Sequence, residues 1–398
     1  MTSVLWEWAS LAVRWLHVIA GIAWIGSSFY FIALDLGLRR RDGLPEGAAG
    51  EAWQVHGGGF YNMVKYLVAP ARLPDELTWF KWEAYTTWLS GMGLLVLVYY
   101  MAADLYLIDR SVLDIPPWIA VAFSLGALMF GWTGYDLLCR SRLGRNDRAL
   151  AAVGFVLLVA LAWAATRVFS GRGAVMQMGA LIGTLMVANV FFVIIPNQRK
   201  VVADLIAGRA PDPALGRAAK QRSLHNNYLT LPVVFVMIAN HYPLAFASRW
   251  NWLILAIVLV VGAAIRHFFN ARHKGAPSPW WCWGVAVAGM AAIVWLTAQP
   301  AVAPAAAATA PEALTGAAEE IVLSRCSMCH AAEPVWAGLA TPPKGVVLES
   351  PAEIRARARE IALVAAHTRA MPPGNVTGIS EEERGVLAAW AATAAPSP

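Results

Sequence analysis

The sequence predicts an all-α fold: an eight-helix integral membrane bundle followed by a small helical domain at the C-terminus. Three observations predict it. Of 398 residues, 58% are hydrophobic and only 14% charged, where a soluble chain carries about a quarter charged residues. Eight apolar stretches of roughly 20 residues, the length that crosses a bilayer, follow one another. After residue 298 the composition changes to an Ala/Pro-rich linker and then to a charged module with helix-capping signals.

The expected spans lie near 8–36, 86–106, 116–138, 149–170, 174–196, 226–246, 250–270 and 278–299. The N-terminal run lacks a basic n-region and a small-residue cleavage site, so it reads as a retained helix and not a signal peptide. The span at 226–246 is the weakest, because His225, Asn226, Asn227, Asn240 and His241 bracket a short apolar middle.

Lys and Arg set the topology. Segments 39–85, 139–148, 197–223 and 266–274 carry 6, 4, 6 and 3 of them, and the alternate loops near 104–115, 167–173 and 247–249 carry 1, 2 and 1. The positive-inside rule assigns the first group to the cytoplasm of a bacterial inner membrane, which puts both termini in the periplasm. Net charge is +9 over residues 1–311 and −3 over residues 312–398. The basic excess belongs to membrane loops and lipid, and points to no nucleic acid.

The chain divides into a membrane domain (1–298), a linker (299–315) and a C-terminal module (316–398). In that module Ser350-Pro351-Ala352-Glu353 and Ser380-Glu381-Glu382-Glu383 are capping boxes that open helices. Cys326-Ser327-Met328-Cys329-His330 is the attachment signature of c-type haem. The two thiols add to the porphyrin and His330 becomes the proximal iron ligand. A short redox motif or half of a zinc site is the competing reading, and zinc needs two further ligands where only His367 follows. Met371, in a Pro/Gly loop about 40 residues after His330, is the expected second axial ligand, since a thioether opposite imidazole suits electron transfer. His367 is its competitor. The module therefore reads as a small monohaem cytochrome c domain. Cys139 and Cys282, alone in apolar segments, read as packing residues.

Ionisable groups inside spans are costly and are functional candidates by default. His17 either bonds a neighbouring carbonyl or ligates a b-type haem, with His241 the other outer-half histidine and Arg14 placed to meet a propionate. The 39–85 loop carries His56-Gly57-Gly58-Gly59-Phe60-Tyr61, then Lys65, then Glu83 at the start of span two. Its glycines permit close backbone approach to a ligand; an interfacial aromatic segment is the other reading. Arg222-Ser223-Leu224-His225-Asn226-Asn227 and Asn240-His241 make span six polar at both ends, the pattern of a helix lining a cavity.

Taken together, the stretches His17–Asp35, His56–Tyr66, Trp79–Gly91, Gly131–Cys139, Pro196-Asn197-Gln198-Arg199, Arg222–Pro243 and Met371-Pro372-Pro373-Gly374 make the chain resemble the bacterial membrane-bound cytochrome c urate oxidases. The first span also resembles, more weakly, the helix of membrane b-haem proteins of the protoporphyrinogen-oxidising and copper-resistance type. The first resemblance implies oxidation of urate to 5-hydroxyisourate in purine breakdown. Electrons would leave through the C-terminal haem to a soluble cytochrome c or terminal oxidase, without hydrogen peroxide. It assigns no membrane-domain residue. Urate is a planar anion, so its pocket needs cationic and amide groups and a base. On the residues alone, His56, Lys65, His225, Asn226 and Asn227 are the catalytic candidates, and Arg222, Tyr61 and Glu83 the substrate-binding ones. Cys326, Cys329, His330 and Met371, with His17 and His241, are the cofactor-binding candidates. The competing functions are a quinol:cytochrome c oxidoreductase and a transporter or assembly factor with a fused cytochrome.

Overall fold

The computed structural model describes residues 2–66, 74–299, 301, 311–337 and 339–393. Eight long helical rods stand where the eight apolar stretches lie. They are α1 (Thr2–Gly37), α2 (Trp82–Leu94, running on through a π turn at Leu95–Tyr100), α3 (Pro117–Arg140), α4 (Asp147–Ala165), α5 (Gly171–Ile206), α6 (Pro213–Ala239), α7 (Asn251–His273) and α8 (Trp281–Ala298). Six of these, α1, α3, α4, α5, α7 and α8, are long and apolar enough to cross a membrane. The regular α part of α2 is short, and α6 begins 13 residues before its apolar stretch, so half of it is polar.

Burial follows a membrane pattern. The most apolar window of α1 is 6% buried, whereas that of α5 is 67% buried. Large apolar side chains such as Trp15, Ile22, Trp118, Phe130 and Trp295 stand exposed on the outside of the bundle. Water would penalise so continuous an apolar shell; lipid does not. α5 is the hub. Its Met178, Leu181 and Leu185 pack with Leu95 and Tyr99 after α2, Leu128 of α3, Val236 of α6 and Leu255 and Leu259 of α7.

Two of the long helices carry an internal proline. Pro196 has no N–H to give to the turn before it, and α5 widens there into a π turn over Asn189–Ile194. Pro232 lies inside α6, which runs on through it as an α-helix. Its ring sits on Gly262 of α7, where a Cβ would come within 2.6 Å of the proline Cδ.

The expected all-α fold needs one correction. Residues 48–66 form a β-hairpin, β1 (Ala48–His56) with β2 (Gly59–Tyr66), antiparallel, with His56 opposite Gly59. Gly57 and Gly58 both have positive φ, 60° and 79°. That is what a two-residue hairpin turn demands, so here Gly57 and Gly58 make the turn and Gly59 opens the second strand. The hairpin is tied to the end of α1 by Lys65 Nζ–Asp35 Oδ1 at 2.6 Å.

The linker expected at 299–315 lies mostly outside the described residues, and α9 (Pro311–Arg325) already begins inside it. In the C-terminal module α9 crosses α10 (Glu381–Thr393) around a core of Ala318, Val322, Ile354, Leu387 and Trp390. Both capping boxes form. Ser350 Oγ accepts from Glu353 N, whose carboxylate accepts from Ser350 N, and Ser380 with Glu383 repeats the exchange. The module rests on the bundle. His367 Nε2 donates to Thr297 O at 2.8 Å, Arg369 N to Ala247 O at 3.4 Å, and Gly374 faces the carbonyls of Asp104, Leu105 and Ile108.

Candidate functional site

The polar half of α6 is the best-built site in the bundle. Arg222, His225 and Asn226 fall at i, i+3 and i+4 and so share one face. They meet α3 and the π turn of α5. Arg222 is 3% exposed; its Nη2 donates to Asp136 Oδ1 at 2.7 Å and its Nη1 to Asn189 Oδ1 at 3.0 Å. Its guanidinium also lies 4.9 Å from the Tyr135 ring centre and 5.8 Å from that of Trp132. Asn189 Nδ2 donates to Tyr135 Oη at 3.1 Å and to Asn226 Oδ1 at 2.9 Å, and Asn226 Nδ2 donates to Met186 O. Tyr135 Oη is 2.7 Å from His225 Nδ1. This node is closed: each side chain has a partner, and the Arg222 charge is already matched by Asp136.

A second node lies one residue round the helix. Asn227, fully buried, faces α7 and not α3. Its Oδ1 accepts from Arg266 Nε at 3.3 Å and from Asn270 Nδ2 at 3.0 Å, and Arg266 Nη2 donates to Asn270 Oδ1 at 3.2 Å. Phe29 of α1 closes one face of the guanidinium, 3.8 Å from Cζ to the ring centre.

The other candidates are placed apart from these nodes. His56 and Tyr61 are exposed on the hairpin, and Lys65 is held by Asp35. Glu83 is half-buried at the start of α2. The structure thus gathers Arg222, His225 and Asn226, sets Asn227 beside them, and leaves His56, Lys65 and Tyr61 on a separate element. Tyr135, Asp136, Asn189, Arg266 and Asn270 are the members that sequence reasoning passed over. A carboxylate at 136 and an amide at 189, each inside an apolar stretch, were the available signals.

His17 sits on α2. Nδ1 donates to Thr87 O at 2.9 Å and lies 3.2 Å from Ser90 Oγ, and a Cβ at Gly91 would come within 2.9 Å of the ring. The carbonyl-bonded reading is realised, and only Nε2 is left for a metal. His241 is exposed just past the end of α6.

The C-terminal residues fit a covalently held haem. Cys326 and Cys329 are unpaired thiols, and burial pushes Cys326 up to about 11, so it is held as the neutral thiol. His330 Nδ1 donates to Val346 O at 2.9 Å, which fixes the ring and leaves Nε2 for iron. Arg384, 3% exposed, donates to Met371 O at 2.9 Å and to Asn375 Oδ1 at 3.2 Å, and so pins the Met371 loop from behind. His367, the competing ligand, has its Nε2 committed to Thr297 O. Among the described residues no group of three or more His, Cys, Asp or Glu is gathered as a metal site, so the zinc reading gains no support.

Comparison with known proteins adds one finding. A family model described as urate oxidase N-terminal matches residues 3–297. Neither a curated protein nor a solved structure matched the chain.

Proposed function

The chain belongs to the urate oxidase N-terminal family, and on that premise we propose that it oxidises urate to 5-hydroxyisourate in the bundle and exports the electrons through its C-terminal module. The family match over residues 3–297 is the observation that carries this reading. Urate and one water give 5-hydroxyisourate, two protons and two electrons, so the reaction needs a base, a seat for the anion and an outlet for electrons.

His225 is the base. In the tautomer that donates Nδ1–H to Tyr135 Oη, the lone pair on Nε2 is free to take a proton from the substrate or the attacking water. Asn189 and Asn226 hold Tyr135 and the turn of α6 in register. Arg222 is committed to Asp136, so it orders the node. Cys326, Cys329, His330 and Met371 are the residues that would hold a c-type haem, which would supply one-electron transfer toward a soluble cytochrome c or a terminal oxidase. His17 Nε2 is the candidate ligand for an additional b-type haem in the bundle.

The Lys/Arg bias places the hairpin side in the cytoplasm and both termini in the periplasm of a bacterial inner membrane. In support, the C-terminal module docks on residues 104–108 and 247 and on the end of α8, all on the Lys/Arg-poor side.

The test is anaerobic addition of urate to the oxidised, purified protein. Reduction of the haem at its alpha band is expected, with no hydrogen peroxide formed in air. Haem that a quinol reduces and urate does not would give the protein to the quinol-oxidising class instead. Pyridine haemochrome analysis counts the b- and c-type haem, and c-type alone removes His17 as a ligand.

A further inference from the structure

The two buried arginines of the bundle differ in one respect. Arg222 has a carboxylate at 2.7 Å. Arg266, 5% exposed, has none among the described residues: its side-chain hydrogen-bond partners are two neutral amides, and the face of Phe29 closes over it. A guanidinium inside a bundle without a counter-charge is costly, which is why such groups mark working sites.

The amides around it are also incomplete. Arg266 donates from Nε to Asn227 Oδ1 and from Nη2 to Asn270 Oδ1. Those two donors fix both amide orientations, because a flipped amide would set N–H against N–H. Asn270 Nδ2 then donates to Asn227 Oδ1, and Asn227 Nδ2 is left buried with no acceptor. A lone positive charge and an orphaned N–H donor thus stand together, and both lack the same thing: an acceptor carrying negative charge.

We propose that Arg266, Asn227 and Asn270 form a binding site for a planar organic monoanion, seated between α6 and α7. The identification of that anion as urate rests on the function proposed above; the anionic class rests on the geometry alone. Asn226, the residue before Asn227, belongs to the His225 node, so the two sites share a turn of α6 but open on different sides of it, this one toward α7. Arg266 and Asn227 are the anion-seating pair, whereas the charge of Arg222 is matched by Asp136.

Asn227→Asp is the discriminating variant. It changes one atom and gives Arg266 an internal counter-charge, so it removes the site while relieving the buried charge. Full-length protein is titrated calorimetrically with urate, in the dithionite-reduced state to prevent turnover, and separately with benzoate, a planar monoanion without urate chemistry. The expected result is a loss of affinity of about tenfold or more for each anion that wild type binds, the scale of one charge-assisted hydrogen bond. KM for urate should rise in parallel, and thermal stability should be retained or raised. Arg266→Lys, which keeps the charge but loses the planar fork, should fall between. A folded Asn227→Asp protein with wild-type affinity and KM overturns the site, as does a wild type that binds neither anion. A wild type that binds benzoate through this site but neither binds nor oxidises urate leaves the site standing and defeats the urate reading.

Discussion

Asp136 shows how a single carboxylate decides what its arginine is free to do. It sits at 2.7 Å from Arg222 and at 2.7 Å from Arg140, which is exposed while Arg222 is not. The outer contact is screened and contributes little; the inner one holds a buried guanidinium that would otherwise be unpaired. Removing one partner of such a pair costs on the order of 3–5 kcal/mol. Asp136→Asn is therefore expected to lower the thermal midpoint of the purified protein markedly, and adding Arg222→Met should restore much of it. Asp136→Asn with unchanged stability would show that the Arg222 charge does not depend on Asp136, and would return Arg222 to the list of anion-binding groups. The same logic separates His225 from His17. Both rings are anchored through Nδ1, but His225 is anchored by a hydroxyl inside a polar node and His17 by a backbone carbonyl at a tight helix crossing.

The helical elements were largely legible in the sequence because apolar length and capping chemistry are local properties. The Ser350 and Ser380 boxes formed as their residue order required. The second of these makes a prediction at the start of α10. Burial raises the Glu383 carboxyl, but the Ser380 N–H and the Arg325 guanidinium outweigh it and hold the group below its ordinary value of 4.5. A folded value below the unfolded one means that the stabilisation is present above that ordinary value and is lost as pH falls through the lowered one. Thermal midpoints of the C-terminal module should fall on acidification below about pH 4.5, and Glu383→Gln should flatten that fall; an unchanged profile would sink the assignment. What the sequence concealed was partnership between distant elements. The hairpin was missed because glycines at 57 and 58 serve a turn as readily as a ligand. Asn227 and Arg266 lie 39 residues apart, and no local pattern says that α6 and α7 bring them together. His56 and Lys65 stand out in the sequence for their glycine-rich setting, and the structure puts them on the exposed face of a hairpin that stands apart from the nodes.

At the level of the whole molecule, the function proposed above would set chemistry and electron exit at opposite ends. The His225 and Arg266 nodes belong to the end that carries the hairpin and most Lys and Arg, whereas the Met371 loop rests on the other end, against residues 104–108. The loop reaches that surface through Gly374, at φ +56°. With no side chain there, backbone meets backbone: a Cβ would lie within 2.7 Å of Asp104 O and closer still to Ile108 O. Any other residue must adopt a disfavoured φ and also push the loop away from the bundle. Arg384 holds the loop from inside the module, so the displaced part should be the contact between domains and not the setting of Met371. Gly374→Ala is therefore expected to slow urate-driven haem reduction by about tenfold to a hundredfold, the scale on which small misplacements act. The absorption spectrum and reduction by ascorbate should stay as in wild type. His367→Leu, which removes the hydrogen bond to Thr297 but adds no clash, should slow it less. If Gly374→Ala reduces its haem with urate at the wild-type rate, electrons do not cross where the two domains touch, and the module must receive them through another face.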